Sequence, residues 1–169
     1  MKTCFIAGNK PKDFPWDYSD TKSFSFQEYS EETACRIDTL ICRENFTRFI
    51  SDGSIGASLD LAEIVIGLRD KFYDGVTLVL ALSKSDENIK LSPEDKKRYK
   101  TVKEKADEII LTYKNFPFPK YRYIIDKSDL VLVFWNGKKS GRIWNIIFYA
   151  RKINKPLAVF DLNDYLEDR

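Results

Sequence analysis

Residues 129–135 read DLVLVFW, and residues 76–82 read VTLVLAL. Each run is almost continuously apolar and has the length of a strand. A strand with one wet face alternates polar and apolar residues. A strand without that alternation is covered on both faces, as in a parallel sheet flanked by helices.

Four shorter runs supply the remaining strands: TCFIA (3–7), TRFIS (47–51), DEIILT (107–112) and KPLAVFD (155–161). Helical patterns lie between them. The first is expected from near Ser30, where Ser-Glu-Glu-Thr offers a start, with Ala34, Ile37, Leu40, Ile41 and Phe49 among its apolar positions. The second covers 57–72, where Leu59, Ala62 and Ile66 fit a 3.6 period. The third opens at Ser92 with Pro93 at its first position, and its apolar stripe is Tyr99, Val102 and Ala106. Its basic residues Lys96, Lys97, Arg98, Lys100, Lys103 and Lys105 are read as a solvated face. YRYIIDKS (121–128) is a short helix and RIWNIIFYARK (142–152) a longer one. The order β-α-β-α-β-α-β-α-β-α-β predicts one α/β domain over 1–169. Its expected form is a doubly wound, mostly parallel Rossmann-like sheet of about six strands with helices on both faces.

Composition narrows the functions. The chain has 169 residues, 43% apolar, with 28 Lys and Arg against 26 Asp and Glu and a net charge of +2. That near-neutral balance makes nucleic acid an unlikely partner. No apolar run has transmembrane length, and MKTCFIAGNK (1–10) is too short in its apolar part for a signal peptide, so a cytoplasmic protein is expected. The three cysteines, Cys4, Cys35 and Cys42, lack metal-site spacing and suit a reducing compartment. Cys35 and Cys42 lie seven apart on one helix face and are read as core residues. Histidine is absent, which excludes Ser-His-Asp and Cys-His catalysis within this chain. No cofactor and no metal is expected.

In the helix 142–152, Ile143, Trp144, Ile146, Ile147, Phe148 and Tyr149 make nearly every side apolar. A helix on a sheet needs one apolar stripe. The surplus points to a homo-oligomer through this helix or to burial under neighbours in the same chain.

Open α/β sheets bind ligands beyond the carboxyl ends of their strands. Those ends carry the loops 8–20, 51–56, 83–92, 112–120 and 136–141. Glycines follow three of the strands: Gly8, then Gly53 with Gly56, then Gly137 with Gly141. Glycine permits close backbone approach, and the helix starts near 56 and 142 favour an anion. Lys10, Lys138, Lys139 and Arg142 add positive charge on the same edge, and Trp16 or Tyr18 is placed to stack on a base. The G-x-G-x-x-G and G-x-x-x-x-G-K-[ST] fingerprints are both absent.

Three stretches together resemble the YpsA-like branch of the SLOG superfamily, Rossmann-like proteins related to LOG phosphoribohydrolases and DprA. GNKPKDFPW (8–16) resembles that branch's Gly-His-Arg-Pro…Leu-Pro-Trp opening. FISDGSIGASLDLAE (49–63) and RYIIDKSDLVLVFWNGKKSG (122–141) resemble its second and last loops. The resemblance implies a site for a nucleotide-like ligand. The loops also depart from it. Asn9 and Lys10 stand for the family's His and Arg, Asp52 for a glycine, Ser58 for the loop Asp and Asp60 for Trp, while Glu63 is retained. Gly141-Arg142-Ile143 replaces Gly-Gly-Thr.

The expected ligand-binding set is Gly8, Asn9, Lys10, Trp16, Ser51, Asp52, Gly53, Ser54, Gly56, Ser83, Arg122, Asn136, Gly141 and Arg142. The leading expectation is a SLOG-type module that senses or sequesters a nucleotide-derived small molecule, such as an ADP-ribose-like, NAD-like or cyclic nucleotide, without catalysis. Two alternatives stay open. One is a LOG-like N-glycosidase acting on nucleoside monophosphates, with Asp52, Glu63 and Asp126 as its candidate carboxylates. The other is DprA-like binding of single-stranded nucleic acid.

Overall fold

The computed structural model describes residues 1–83, 90–112 and 119–167. Six strands form one parallel sheet: β1 (Lys2–Gly8), β2 (Phe46–Ser51), β3 (Thr77–Ser83), β4 (Glu108–Thr112), β5 (Leu130–Trp135) and β6 (Leu157–Asp161). Their spatial order is β4-β3-β2-β1-β5-β6, and every neighbouring pair is parallel. The helices are α1 (Phe24–Cys42), α2 (Ala57–Lys71), α3 (Pro93–Lys105), α4 (Lys120–Asp126) and α5 (Gly141–Lys152).

The central strands are buried on both faces because each face meets its own helices. Cys4, Ile6, Phe49, Leu78, Leu80 and Phe134 pack with residues of α1, α2 and α3. Phe5, Ala7, Ile50, Val79, Val131 and Val133 alternate with them and pack with residues of α4 and α5. The period of two sends successive side chains into two cores, so each strand reads as one apolar run. The chain leaves β1 toward β2, β3 and β4 on one side and returns to β5 and β6 on the other. The reversal lies between β1 and β5, where a doubly wound sheet opens a crevice.

Three expectations need correction. The helix expected from Ser30 starts at Phe24, where the Ser23 hydroxyl accepts from the Phe26 N–H at 3.2 Å. Its first turn carries no acid, which removes the charge signature of a helix start. That helix ends at Cys42, and Phe49 belongs to β2. Cys35 and Cys42 are exposed, because the buried stripe of α1 runs through Tyr29, Thr33, Ile37, Leu40 and Ile41 instead.

Most of the apolar surplus of α5 is taken up within the chain. Ile143, Ile146, Ile147 and Ala150 form its buried stripe. Trp144 stacks on Trp135 with ring centroids 5.6 Å apart, and Tyr149 meets Tyr121 edge-on at 6.3 Å. Phe148 alone among these is largely exposed, at 58%. Among the described residues, no helix is long and apolar enough to cross a membrane.

Candidate functional site

Three loops meet at the carboxyl edge of β1, β2 and β5. The Asn9 N–H donates to the Phe134 carbonyl at 3.2 Å, and the Asn9 side-chain oxygen accepts from the Asn136 N–H at 2.8 Å. The Asn136 amide nitrogen donates to the Asp13 carbonyl at 2.9 Å, which ties the long first loop to the end of β5. The crevice at the strand reversal is thus bridged by two asparagines.

The second loop is fixed by its serines. Ser51 Oγ donates to the Ser58 carbonyl at 3.0 Å and accepts from the Gly53 N–H at 3.1 Å. Ser58 Oγ accepts from the Gly8 N–H at 3.2 Å, so the first turn of α2 is bonded to the end of β1. Gly56, at φ 109°, has a conformation that side chains rarely adopt, and an added Cβ would come within 2.9 Å of Lys10 Cα. The Ala57 N–H donates to the Asn9 carbonyl at 3.0 Å. Here the glycine freedom lets one loop of the chain approach another.

Asp52 is buried and Arg142 reaches it from the first turn of α5, its Nη1 donating to Asp52 Oδ2. Asp52 Oδ1 accepts from the Ser54 N–H at 3.0 Å. Burial pushes the Asp52 carboxyl upward. The charges of Arg142 and Lys120 and the Ser54 N–H outweigh it and hold the carboxyl below the usual range. The Asp52 carboxyl is therefore favoured in its charged form. The pair spans the edge from the loop after β2 to the start of α5. Beside it lies a hollow of about 110 Å³ lined by Lys10, Pro11, Asp52, Gly53, Ser54, Ile55, Leu91 and Tyr99. That is smaller than the ~300 Å³ lower end of small-molecule pockets, so it admits one group of a larger ligand.

The structure gathers Gly8, Asn9, Lys10, Ser51, Asp52, Gly53, Ser54, Gly56, Asn136, Gly141 and Arg142 around this edge. Three expected residues stand apart. Trp16 is packed edge-on against Phe14 and Tyr165, with centroids 5.2 and 6.3 Å away, and tilted against Tyr29 at 5.7 Å, instead of offering a face to a base. Its Nε1 is buried without a hydrogen-bond partner. Arg122 lies over the Tyr149 ring at 5.1 Å, on the α4–α5 side. Ser83 ends β3 opposite Thr112, and β2 separates that strand from β1. The loop residues 84–89 and 113–118 lie outside the described residues.

Tyr18, the other stacking candidate, belongs to a polar cluster that the sequence reading missed. Tyr18 Oη donates to Asp60 Oδ1 at 2.6 Å and Tyr29 Oη to Asp60 Oδ2 at 2.9 Å. Arg98 donates from Nη2 to Asp60 at 2.7 Å and from Nε to Glu63 at 2.8 Å. Arg98 is therefore part of a helix-to-helix clamp and not of a solvated face. Its signal was positional: it precedes Tyr99 and sits three residues after Asp95, on the margin of the buried stripe. Burial pushes the Asp60 carboxyl up, against the Tyr18, Arg98 and Tyr29 donors, which favour its charged form.

The carboxylates that hydrolysis would need are dispersed. Asp52 faces Arg142, Glu63 faces Arg98, and Asp126 accepts from Tyr149 Oη at 2.9 Å on the other side of the sheet. Among the described residues, no group of three His, Cys, Asp or Glu could hold a metal ion. Fold and edge together define a doubly wound α/β domain with a charged carboxyl-edge hollow. The chain matches no known family model and no curated protein sequence.

Proposed function

We propose that the domain binds a nucleotide-like small molecule at this edge and acts by holding it, as a sensor or a sink of SLOG type. The observation that carries the reading is the Asp52–Arg142 salt bridge beside the hollow that Lys10 lines. A carboxylate accepts the hydroxyls of a ribose, and guanidinium and ammonium groups meet a phosphate. The dispersal of Asp52, Glu63 and Asp126 favours binding over N-glycoside cleavage. Self-association through α5 belongs to the same reading, narrowed to the patch around Phe148 and Trp144.

The test is mass spectrometry of small molecules released from purified protein after incubation with cell extract. A retained, chemically intact nucleotide derivative, lost on Asp52→Ala, is the expected result. Recovery of a free base and a sugar phosphate would favour the LOG-like alternative instead. Retention of nothing would sink the binding reading. Light scattering on the protein and on Phe148→Ser tests association: a mass that falls to that of one chain in the variant is expected.

A further inference from the structure

A second, larger cavity lies away from the carboxyl-edge hollow. It is a cleft of about 420 Å³ between α1, α2 and α3, roofed by the loop that carries Tyr18. Its size falls within the range of small-molecule pockets. Three aromatic side chains line it: Tyr18, Phe26 and Tyr29, with Phe26 in edge contact with the other two at centroid distances of 5.7 and 5.9 Å. Three carboxylates line it as well: Asp60, Glu63 and Glu94.

The only cation among the lining residues is Arg98, and each of its three nitrogens already has a partner. Nε serves Glu63, Nη2 serves Asp60 at 2.7 Å, and Nη1 serves Tyr18 Oη at 3.2 Å. An anion entering the cleft would meet three carboxylates, Asp60, Glu63 and Glu94, against one guanidinium that already serves the first two. A cation would find the opposite. Negative charge beside aromatic rings in a partly enclosed space is the arrangement that holds an ammonium group, through Coulomb attraction and the ring quadrupole together.

We propose that this cleft is a binding site for a small organic cation, an aliphatic polyamine, with one ammonium group among Phe26, Tyr18, Glu63 and Glu94. The proposal does not rest on the carboxyl-edge reading. The fold supplies the specificity. Asp60 and Arg98 fix α2 and α3 at the floor of the cleft, and Glu63, 39% exposed, keeps one oxygen beyond its bond to Arg98. Glu94 stands in the first turn of α3, free of the clamp.

Calorimetric titration of the full chain with spermidine, and with putrescine, tests the proposal. Saturable one-site binding is expected, weakened by raised ionic strength. Butanediol, which has hydroxyls where putrescine has ammonium groups, should give no saturable heat. Glu94→Gln, on an exposed position, should weaken spermidine about fivefold, and Phe26→Leu about threefold, as loss of one charge contact and one ring imply. Asp74→Asn removes an exposed acid in the turn that follows α2 and should change nothing. Absence of saturable binding overturns the proposal. So does equal weakening by Asp74→Asn and Glu94→Gln, which would mean attraction to surface charge alone.

Discussion

Gly8 offers the sharpest test of what the loop glycines do here. It is the last residue of β1, and a Cβ built on it collides with the Cβ of Ala57 and comes to 2.9 Å from the Phe134 carbonyl oxygen. Neither neighbour has a flexible tip that could swing away. Ala57 opens α2 and is bonded to Asn9, and Phe134 is fully buried in β5. Gly8→Ala must therefore part β1 from α2. Overpacking of this kind costs 1–3 kcal/mol, and rigid neighbours place it at the upper end, about 3 kcal/mol. The lost flexibility of the unfolded chain returns ~0.4–1 kcal/mol, which leaves a net loss of about 2–3 kcal/mol. Ala57→Gly removes the nearer obstacle and alone costs at most ~1 kcal/mol in helix propensity. If the contact is the cause, the double variant is more stable than the sum of the single losses by at least ~1 kcal/mol. Urea unfolding followed by tryptophan fluorescence, with slopes checked for constancy, measures all four corners. A Gly8→Ala variant within ~0.5 kcal/mol of the parent would refute the reasoning, and so would strictly additive variants. A stable variant that no longer retains ligand would instead mean that the glycine makes room for the ligand.

Three further outcomes follow from the charged groups. Arg142→Ala leaves buried Asp52 without its guanidinium. Because Arg142 is about a third exposed, the loss at neutral pH should be only about 1–2 kcal/mol in urea unfolding. The Asp52 carboxyl is held below its unfolded value, so its contribution is present above that value, about 3.9, and disappears as pH falls through the lower folded value. The gap between parent and variant should accordingly close toward acid; a gap that widens there contradicts the pairing. Arg98→Met takes the charged donor from Asp60 and should cost about 2–4 kcal/mol, with Asp60→Asn restoring part of it in thermal melts of the double variant. Arg122→Ala removes an exposed cation–ring contact and should cost no more than ~1 kcal/mol, with ligand retention unchanged by mass spectrometry.

The central strands were legible because burial on both faces erases alternation, and all six runs lie within a few residues of their observed strands. Ser92-Pro93 marked the start of α3 for a local reason, a hydroxyl cap on the Asp95 N–H at 3.1 Å with proline at the first position. The start of α1 escaped because Ser23 is followed by Phe24, Ser25 and Phe26, with no acid to mark the turn. The convergence of the loops at 8–11, 52–56 and 136–142 followed from topology alone. What filled that edge did not follow. Periodicity places Arg98 and Arg142 on helices but cannot say that each will find a carboxylate from a distant loop or helix, 38 and 90 residues away. Long side chains near the margin of a buried stripe bring partners together only once the helices have packed.

Asp52 and Arg142 sharpen what the proposed ligand must be. The pair already joins the loop after β2 to α5, so an anion that takes Arg142 alone leaves a buried carboxylate unpaired, at a cost of the same order as the contact it gains. Lys10 on the rim and Lys120, close enough to act on Asp52, soften that cost without removing it. A ligand that brings hydroxyl donors to Asp52 and a phosphate to Arg142 replaces both halves of the bond at once. A nucleotide carries both groups at the spacing of one ribose, whereas free phosphate carries one. Asp52 and Arg142 thus act as one coupled pair, in which the buried acid is tolerable only in the presence of the base.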